Sequence, residues 1–217
     1  MPEDILPAVI VVAIMLLVGF PVHEFSHALA AYRLGDGTAK LMGRLTLNPV
    51  VHFDPLGGIL LAVTFIFSGF GFGWAKPTPV NPNNLEGGPR GEAIVAAAGP
   101  LSNLVLAIAA ALPLRYLLAS PDLFAQVPFL VIQILDLFVL INIVLMIFNL
   151  LPIPPLDGSK VLFALLPPRQ AWRWRPILEQ YGFIVLLLLF FVPPGNSLGG
   201  RILFPIIGGI HDLLVGL

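Results

Sequence analysis

The residues best suited to chemistry form a short cluster near the amino terminus, His23-Glu24-Phe25-Ser26-His27. Helical side chains four positions apart lie on one face, so both imidazoles can bind the same metal ion. Glu24 lies about 100° round the helix from His23, close enough to act as a general base on a water molecule at the metal. The pattern predicts a hydrolytic centre with one Zn²⁺ per chain.

A catalytic zinc ion needs a third protein ligand and an open position. The chain has no cysteine, so this ligand must be a histidine, an aspartate or a glutamate. Asp157 is the best candidate, because it follows prolines that break an apolar helix and precedes Gly158, which permits an unusual turn. The alternative is that Asp157 only caps the segment at residues 159–166.

The composition places this chemistry in a membrane. Of the 217 residues, 58% are hydrophobic and 11% are charged, far below the roughly 25% charged residues of soluble domains. Ionisable side chains in or beside a membrane helix are costly, so His23, Glu24 and His27 need a function or a partner there. The net charge of −1 offers no basic excess. We therefore expect a lipid bilayer as a partner and no nucleic acid.

The apolar segments predict an all-α polytopic membrane protein with about five to six transmembrane helices, a re-entrant segment and a short membrane-associated β element. The first helix should cover residues 5–34 and be retained, because its first residues are acidic and no cleavage site follows. The proline-rich residues 73–82 should form a loop or short edge strand. The other apolar segments are residues 55–72, 90–118, 128–151, 181–192 and 202–217.

These segments predict one transmembrane domain over residues 1–217. Its catalytic core should be residues 5–166, and its C-terminal helices should lie within residues 178–217. The last two apolar segments are short, so they either span the membrane or form a hairpin.

Two motifs together resemble the site-2 protease family of intramembrane zinc metalloproteases: HExxH at residues 23–27 and Asn-x-x-Pro-x-Pro-x-Leu-Asp-Gly at residues 149–158. The resemblance implies that His23, His27 and Asp157 bind zinc and that Glu24 is the catalytic base. It also implies that two asparagines lie near the zinc and contact the substrate carbonyl or its oxyanion. They are Asn149 and Asn103, the second in the pattern Gly99-x-x-x-Asn103.

The same resemblance implies regulated intramembrane proteolysis, with single-span membrane proteins as substrates. Nothing in the sequence resembles a PDZ or CBS domain, so we expect a catalytic core alone. Assembly into a homo-oligomer is an alternative that the sequence leaves undecided. His52 and Asp54 are further polar groups, for which capping a loop or supporting the site is favoured over binding the metal.

A shared metal ion also constrains the topology. The end of the first helix and the Asp157 end of the helix at residues 128–151 must lie on one side, so residues 55–72 should be re-entrant or a tight hairpin. Arg115 and Arg201 should then lie on the opposite side of the membrane. The other nine cations share the side of the metal ion: Arg33, Lys40, Arg44, Lys76, Arg90, Lys160, Arg169, Arg173 and Arg175. In a cell membrane this side should be cytoplasmic, which places the active site near the cytoplasmic face and the amino terminus outside.

Two other functions fit some of these residues. A metal transporter or channel also uses intramembrane histidine and aspartate, but conduction needs several ligand sets in series, and the chain shows one compact set. An inactive relative that only binds membrane proteins would not need Glu24.

Overall fold

The computed structural model describes residues 2–68, 73, 75–192 and 197–216. Within these ranges the chain forms helices joined by turns and loops, and no β-strand occurs there.

The first long helix runs without a break from residue 2 to residue 33, in agreement with the predicted helix at residues 5–34. It consists of α1 (Pro2–Ile14), a π-helical turn (Met15–Gly19) and α2 (Phe20–Arg33). Leu34 ends it, and Gly35 then adopts a φ of 96°, a conformation that favours glycine.

The chain between residues 34 and 88 leaves the end of this helix and returns to it. It contains α3 (Thr38–Leu41), α4 (Pro49–His52) and α5 (Pro55–Ser68). The Glu86 amide donates to the Leu34 carbonyl over 2.7 Å, and the Lys76 amide donates to the His52 carbonyl over 2.8 Å. The first bond returns the chain to the end of the first helix. The second joins residue 76 to α4, and α4 packs beside the π-helical turn and α2.

A buried aspartate fastens the returning chain. Asp36 is 0% exposed and accepts hydrogen bonds from the Asn81 amide at 2.7 Å and from Asn84 Nδ2 at 3.1 Å. It also accepts from the amide and the hydroxyl of Thr38. Burial works to raise the pKa of Asp36, but these four hydrogen bonds outweigh burial and hold that pKa below its ordinary value. Asp36 therefore stays ionised and fixes the loop ending at Asn81.

Six more α-helices follow in the described part: α6 (Pro89–Leu118), α7 (Pro121–Gln126), α8 (Phe129–Asn149), α9 (Asp157–Leu165), α10 (Pro168–Phe191) and α11 (Leu198–Val215). The main core lies where α6, α8 and α11 pack together. Small residues of α6 face this core and allow close approach of the helices. Its buried members include Ala107, Ala110 and Ala111 of α6, Val139 and Ile143 of α8, and Leu203 and Ile207 of α11.

Four helical stretches in the described part are long and apolar enough to cross a membrane, fewer than the five to six expected. They are Val9–Arg33, Pro89–Leu118, Phe129–Asn149 and Leu198–Val215. The predicted segment 55–72 is represented by α5, which has 14 residues and is short for a span; residues 69–72 lie outside the described part. The first half of α10 is too charged, because it contains Arg169, Arg173 and Arg175.

The predicted β element is not found in the described residues. Residues 75–81 form no strand there, and their amides bond to His52, Glu24 and Asp36 instead of to a neighbouring strand. Trp74, which belongs to the same predicted element, lies outside the described part.

Candidate metal centre

The structure brings together three potential ligands from two distant motifs. His23 and His27 lie one turn apart on α2, with their Nε2 atoms 3.1 Å apart. Asp157 Oδ2 lies 3.1 Å from His27 Nε2 and 3.4 Å from His23 Nε2. All three residues are buried inside the helix bundle. Among the described residues they form the one such group that could hold a metal ion.

Asp157 reaches the histidines because the chain turns sharply after α8. Leu156 is the residue that precedes α9, so Asp157 is the first helical residue and does not cap the helix. Gly158 is necessary at this turn, since a Cβ there would overlap the carbonyl oxygens of Leu150 and Leu151. The Ser159 hydroxyl donates to the Leu156 carbonyl over 2.6 Å and stabilises the turn. The capping alternative is therefore not adopted.

The second nitrogen of each imidazole fixes which nitrogen faces the site. His27 Nδ1 lies 2.7 Å from the Val95 carbonyl oxygen, and His23 Nδ1 lies 2.7 Å from Asn103 Oδ1. A carbonyl oxygen only accepts, so each Nδ1 has the proton, and in the neutral imidazole each Nε2 then presents a lone pair. Such contacts orient histidines that bind metals.

Three electron-pair donors therefore face one another at 3.1 to 3.4 Å. This arrangement is unfavourable unless a cation lies among them. Tetrahedral zinc, with bonds of about 2.0–2.1 Å, requires ligand atoms about 3.3 Å apart, so the observed spacing fits this ion. Two imidazoles and one carboxylate also match the donor set of a catalytic zinc site that keeps one position open.

A glycine of α6 makes room for the imidazoles. A Cβ at Gly99 would overlap the Nε2 atoms of both His23 and His27. Only glycine lets α6 approach α2 so closely while the two rings keep their positions.

Glu24 is held by the loop that returns to the first helix. It is 9% exposed, its Oε2 accepts from the Thr78 amide over 2.7 Å, and Thr78 Oγ1 donates to the Glu24 carbonyl over 3.0 Å. Pro77 and Pro79 have no amide hydrogen, so Thr78 is the one backbone donor at residues 77–79. Glu24 Oε1 has no hydrogen bond within the described part of the chain.

The two asparagines expected to lie near the zinc and contact the substrate form their hydrogen bonds within the protein. Asn103 is 0% exposed; its Oδ1 faces His23, and its Nδ2 donates to Asn142 Oδ1 over 3.0 Å. Both polar atoms of the Asn103 side chain therefore have partners inside the protein, and its contact with a substrate stays a prediction. Asn149 Nδ2 donates to the Leu145 carbonyl of its own helix over 2.9 Å. Within the described residues, no hydrogen bond joins Asn149 to the three ligands.

The sequence motifs do not single out Asn142 or the contact between Thr78 and Glu24. The available signal for Asn142 is an amide side chain inside an otherwise apolar helix. His52 and Asp54 support the loop, as expected. His52 Nε2 contacts the Thr46 carbonyl over 2.7 Å, and Asp54 Oδ1 accepts from the Gly57 amide over 2.9 Å.

We predict that Gly99→Ala removes most of the bound zinc, because the added methyl group displaces both imidazole nitrogens. The measurement is zinc per purified protein by elemental analysis. Gly208→Ala is the matched control, since a Cβ at Gly208 meets nothing within 4 Å. Full zinc in Gly99→Ala would contradict the close approach of α6 to the ligands.

Comparisons with known proteins agree with this geometry. The model of peptidase family M50 matches residues 124–189. The chain is 39% identical over 217 residues to putative zinc metalloprotease YwhC of Bacillus subtilis (strain 168), covering 100% of this chain and 93% of that protein. It is 34% identical over 182 residues to putative zinc metalloprotease Rip2 of Mycolicibacterium smegmatis, covering 83% of this chain and 66% of that protein. No solved structure matches.

The similarity to the Bacillus protein extends over the whole chain, and the M50 match includes the second motif with Asp157. The grouped histidines and aspartate supply a place for the zinc that these relatives' names imply. Together with four apolar helices long enough to cross a membrane, these findings show that the chain belongs to peptidase family M50, the site-2 protease family, and is a multi-pass membrane zinc metalloprotease.

Proposed function

We propose that this protein hydrolyses peptide bonds of membrane-protein substrates within or near their transmembrane segments. The observation that supports this proposal is the depth of the site. His23 and His27 belong to the candidate span Val9–Arg33, and Gly99, which packs against them, belongs to the candidate span Pro89–Leu118. A peptide bond that reaches these groups is therefore enclosed by membrane helices.

In the proposed mechanism His23, His27 and Asp157 hold the zinc, and Glu24 transfers the proton. Zinc, when bound, supplies a Lewis acid that polarises a carbonyl and makes water acidic enough to react near neutral pH. Glu24 takes a proton from the attacking water and passes it to the leaving amine. The Thr78 amide orients the Glu24 carboxylate by holding Oε2, which leaves Oε1 for the water.

We predict about one zinc per chain in the wild type and in Glu24→Gln, and a large loss of zinc in Asp157→Ala. Glu24→Gln should also lower the cleavage rate by about 10²- to 10⁴-fold, because the general base is missing. Elemental analysis of detergent-purified protein measures the zinc without a known substrate. Asp122→Ala, which changes an exposed aspartate, is the control. Unchanged zinc in Asp157→Ala would separate the two motifs and contradict the site.

The loop from Gly73 to Asn81 is proposed to pair with an unwound substrate. Helical amides are hydrogen-bonded and covered, so a substrate must be extended before cleavage, and an extended chain can pair with a protein backbone edge. Thr78 lies against Glu24, so a chain paired with this loop lies beside the catalytic base. Asn149 would join such a complex by exchanging its bond to Leu145 for one to the substrate carbonyl.

We predict that Pro77→Ala and Thr78→Val lower the cleavage of a transmembrane reporter by roughly 3- to 10-fold, because both loosen the loop at the base. Zinc content should stay at the wild-type value, since neither residue contacts a ligand. Asn83→Ala, at an exposed position beyond the loop, serves as the control. A loss of zinc in the loop variants would assign the loop a structural role instead.

We propose that the site lies near the cytoplasmic face, with the amino terminus outside. The contacts Glu86–Leu34 and Lys76–His52 support an excursion of residues 55–72 that does not cross the membrane. Both parts of α10 also pack at the end of the bundle near the site, through Arg175 with Glu92 and through Phe190 with Phe148.

The position of one cation, Arg201, differs from the one expected from the sequence. Gly199 of α11 packs against Phe190, so the first turn of α11 lies at the same end as α10. Arg201, in that turn, therefore falls on the side of the site, contrary to the expectation that it lies opposite. Arg115 stays at the other end, where it packs against Gly216. The greater excess of cations at the site end strengthens the assignment of this end to the cytoplasm.

Because the chain has no cysteine, single-cysteine labelling can test this topology directly. Asp122→Cys should react with a membrane-impermeant maleimide on intact cells. Asn83→Cys and Arg169→Cys should react only after permeabilisation. Labelling of Asn83→Cys and Asp122→Cys from the same side would overturn the arrangement.

The substrate class remains part of the proposal. Single-span membrane proteins fit a site enclosed by membrane helices, and the bilayer is the medium in which both chains meet. No nucleic acid is expected, and the homo-oligomer stays an open alternative. Cleavage of a single-span reporter by the wild type, but not by Glu24→Gln, supports this class of substrate, and no cleavage of any such reporter would oppose it.

A further inference from the structure

A chain of hydrogen bonds connects His23 to the middle of α8. His23 Nδ1 contacts Asn103 Oδ1 at 2.7 Å, Asn103 Nδ2 donates to Asn142 Oδ1 at 3.0 Å, and Asn142 Nδ2 donates to the Phe138 carbonyl at 2.9 Å. Both asparagines are 0% exposed. The second hydrogen of Asn142 Nδ2 points to Met15 Sδ at 3.5 Å. Every amide group in this chain therefore has a partner inside the protein.

The Phe138 carbonyl, at the end of this series of hydrogen bonds, determines the direction of each of them. The Phe138 carbonyl can only accept, so Asn142 must turn its Nδ2 towards it and its Oδ1 towards Asn103. Asn103 must then offer Nδ2 to Asn142 and Oδ1 to His23. An oxygen facing His23 Nδ1 requires the proton on that nitrogen, so in the neutral imidazole His23 Nε2 is left with a lone pair.

If the hydrogen bonds through Asn103 and Asn142 ran in the reverse direction, His23 could not bind the metal. With both amides turned over, Asn142 Oδ1 would face the Phe138 carbonyl, and two acceptors would lie 2.9 Å apart without a proton between them. Asn103 would then present an N–H to His23 Nδ1, and the imidazole proton would move to Nε2, where it blocks metal binding.

In His27 a single hydrogen bond keeps the proton on Nδ1, because this atom contacts the Val95 carbonyl directly. His23 has no carbonyl in that position within the described part and uses two amides to reach one on α8. We propose that Asn142 is a positioning residue that sets the tautomer of His23 for zinc binding, through Asn103. This inference rests on the proposed assignment of His23 as a ligand.

The test compares zinc dissociation constants, measured by chelator competition on detergent-purified protein. Asn103→Ala should weaken zinc binding about 10- to 100-fold, and Asn142→Leu should weaken it by a smaller factor, roughly 3- to 10-fold. The double variant should bind zinc no more weakly than Asn103→Ala alone, since Asn142 acts only through Asn103. Additive losses would assign Asn142 a general structural role and overturn the proposal.

Two further variants separate this role from packing. Asn142→Asp should retain near wild-type affinity, because a buried neutral carboxyl group can donate to Phe138 and accept from Asn103. Ile143→Ala removes a neighbouring side chain that is also 0% exposed. It should lower thermal stability and leave the affinity for zinc unchanged. A loss of affinity in Ile143→Ala equal to that in Asn142→Leu would oppose the proposal.

Imidazole nitrogen NMR gives a readout that does not depend on catalysis. With four histidines in the chain, the signals of His23 can be assigned by single substitutions. Wild type and Asn142→Asp should show a protonated, hydrogen-bonded His23 Nδ1, whereas Asn142→Leu should show a mixture of tautomers. A proton only on Nε2 of His23 in the wild type would overturn the proposal that Asn142 sets the tautomer of His23. Absence of zinc from the wild type would instead contradict the proposed function.

Discussion

The structure depends on holding three electron-pair donors around one cation inside an apolar bundle. The Nε2 atoms of His23 and His27 and the Oδ2 atom of Asp157 lie 3.1 to 3.4 Å from one another, a spacing that stabilises a bound cation and is repulsive without one. Two of the donors share a helix, which fixes their separation through the helical repeat. The third comes from a turn 130 residues later, so the bundle must bring α2, α6 and the start of α9 to one point.

Close approach of these elements requires small residues at defined positions. Gly99 admits the two imidazoles, and Gly158 lets the turn before α9 pack on the carbonyls at the end of α8. Further from the site, Ala107, Ala110 and Ala111 allow α6 to pack against α8 and α11. In a membrane, association of helices relies on such packing and on interhelical hydrogen bonds, because lipid is as apolar as the side chains. The amides of Asn103 and Asn142 provide such a bond between α6 and α8.

The sequence predicts well which residues form the ligand group, but it predicts poorly which residues hold those ligands in place. The spacing of His23 and His27 is a local property of one helix, and Asp157 is conspicuous as a carboxylate beside prolines at the end of an apolar helix. By contrast, the partner of Asn103 depends on the packing of α6 against α8, which no local pattern encodes. The same limit applies to α10. Its apolar second half resembles half a span, and only its contacts with Glu92 and Phe148 place both of its parts near the site.

The three proposed metal ligands and the proposed base, Glu24, are held by different kinds of structure. His23 and His27 obtain their orientation from helices that also form the core, so the metal site is coupled to the stability of the whole bundle. Glu24 obtains its orientation from Thr78 in a loop, and described residues of that loop are held by hydrogen bonds to Asp36 and His52. Loops open at a lower cost in free energy than core helices. In the proposed mechanism, movement of this loop would change proton transfer at Glu24 without releasing zinc, and substrate binding would then act on the base alone.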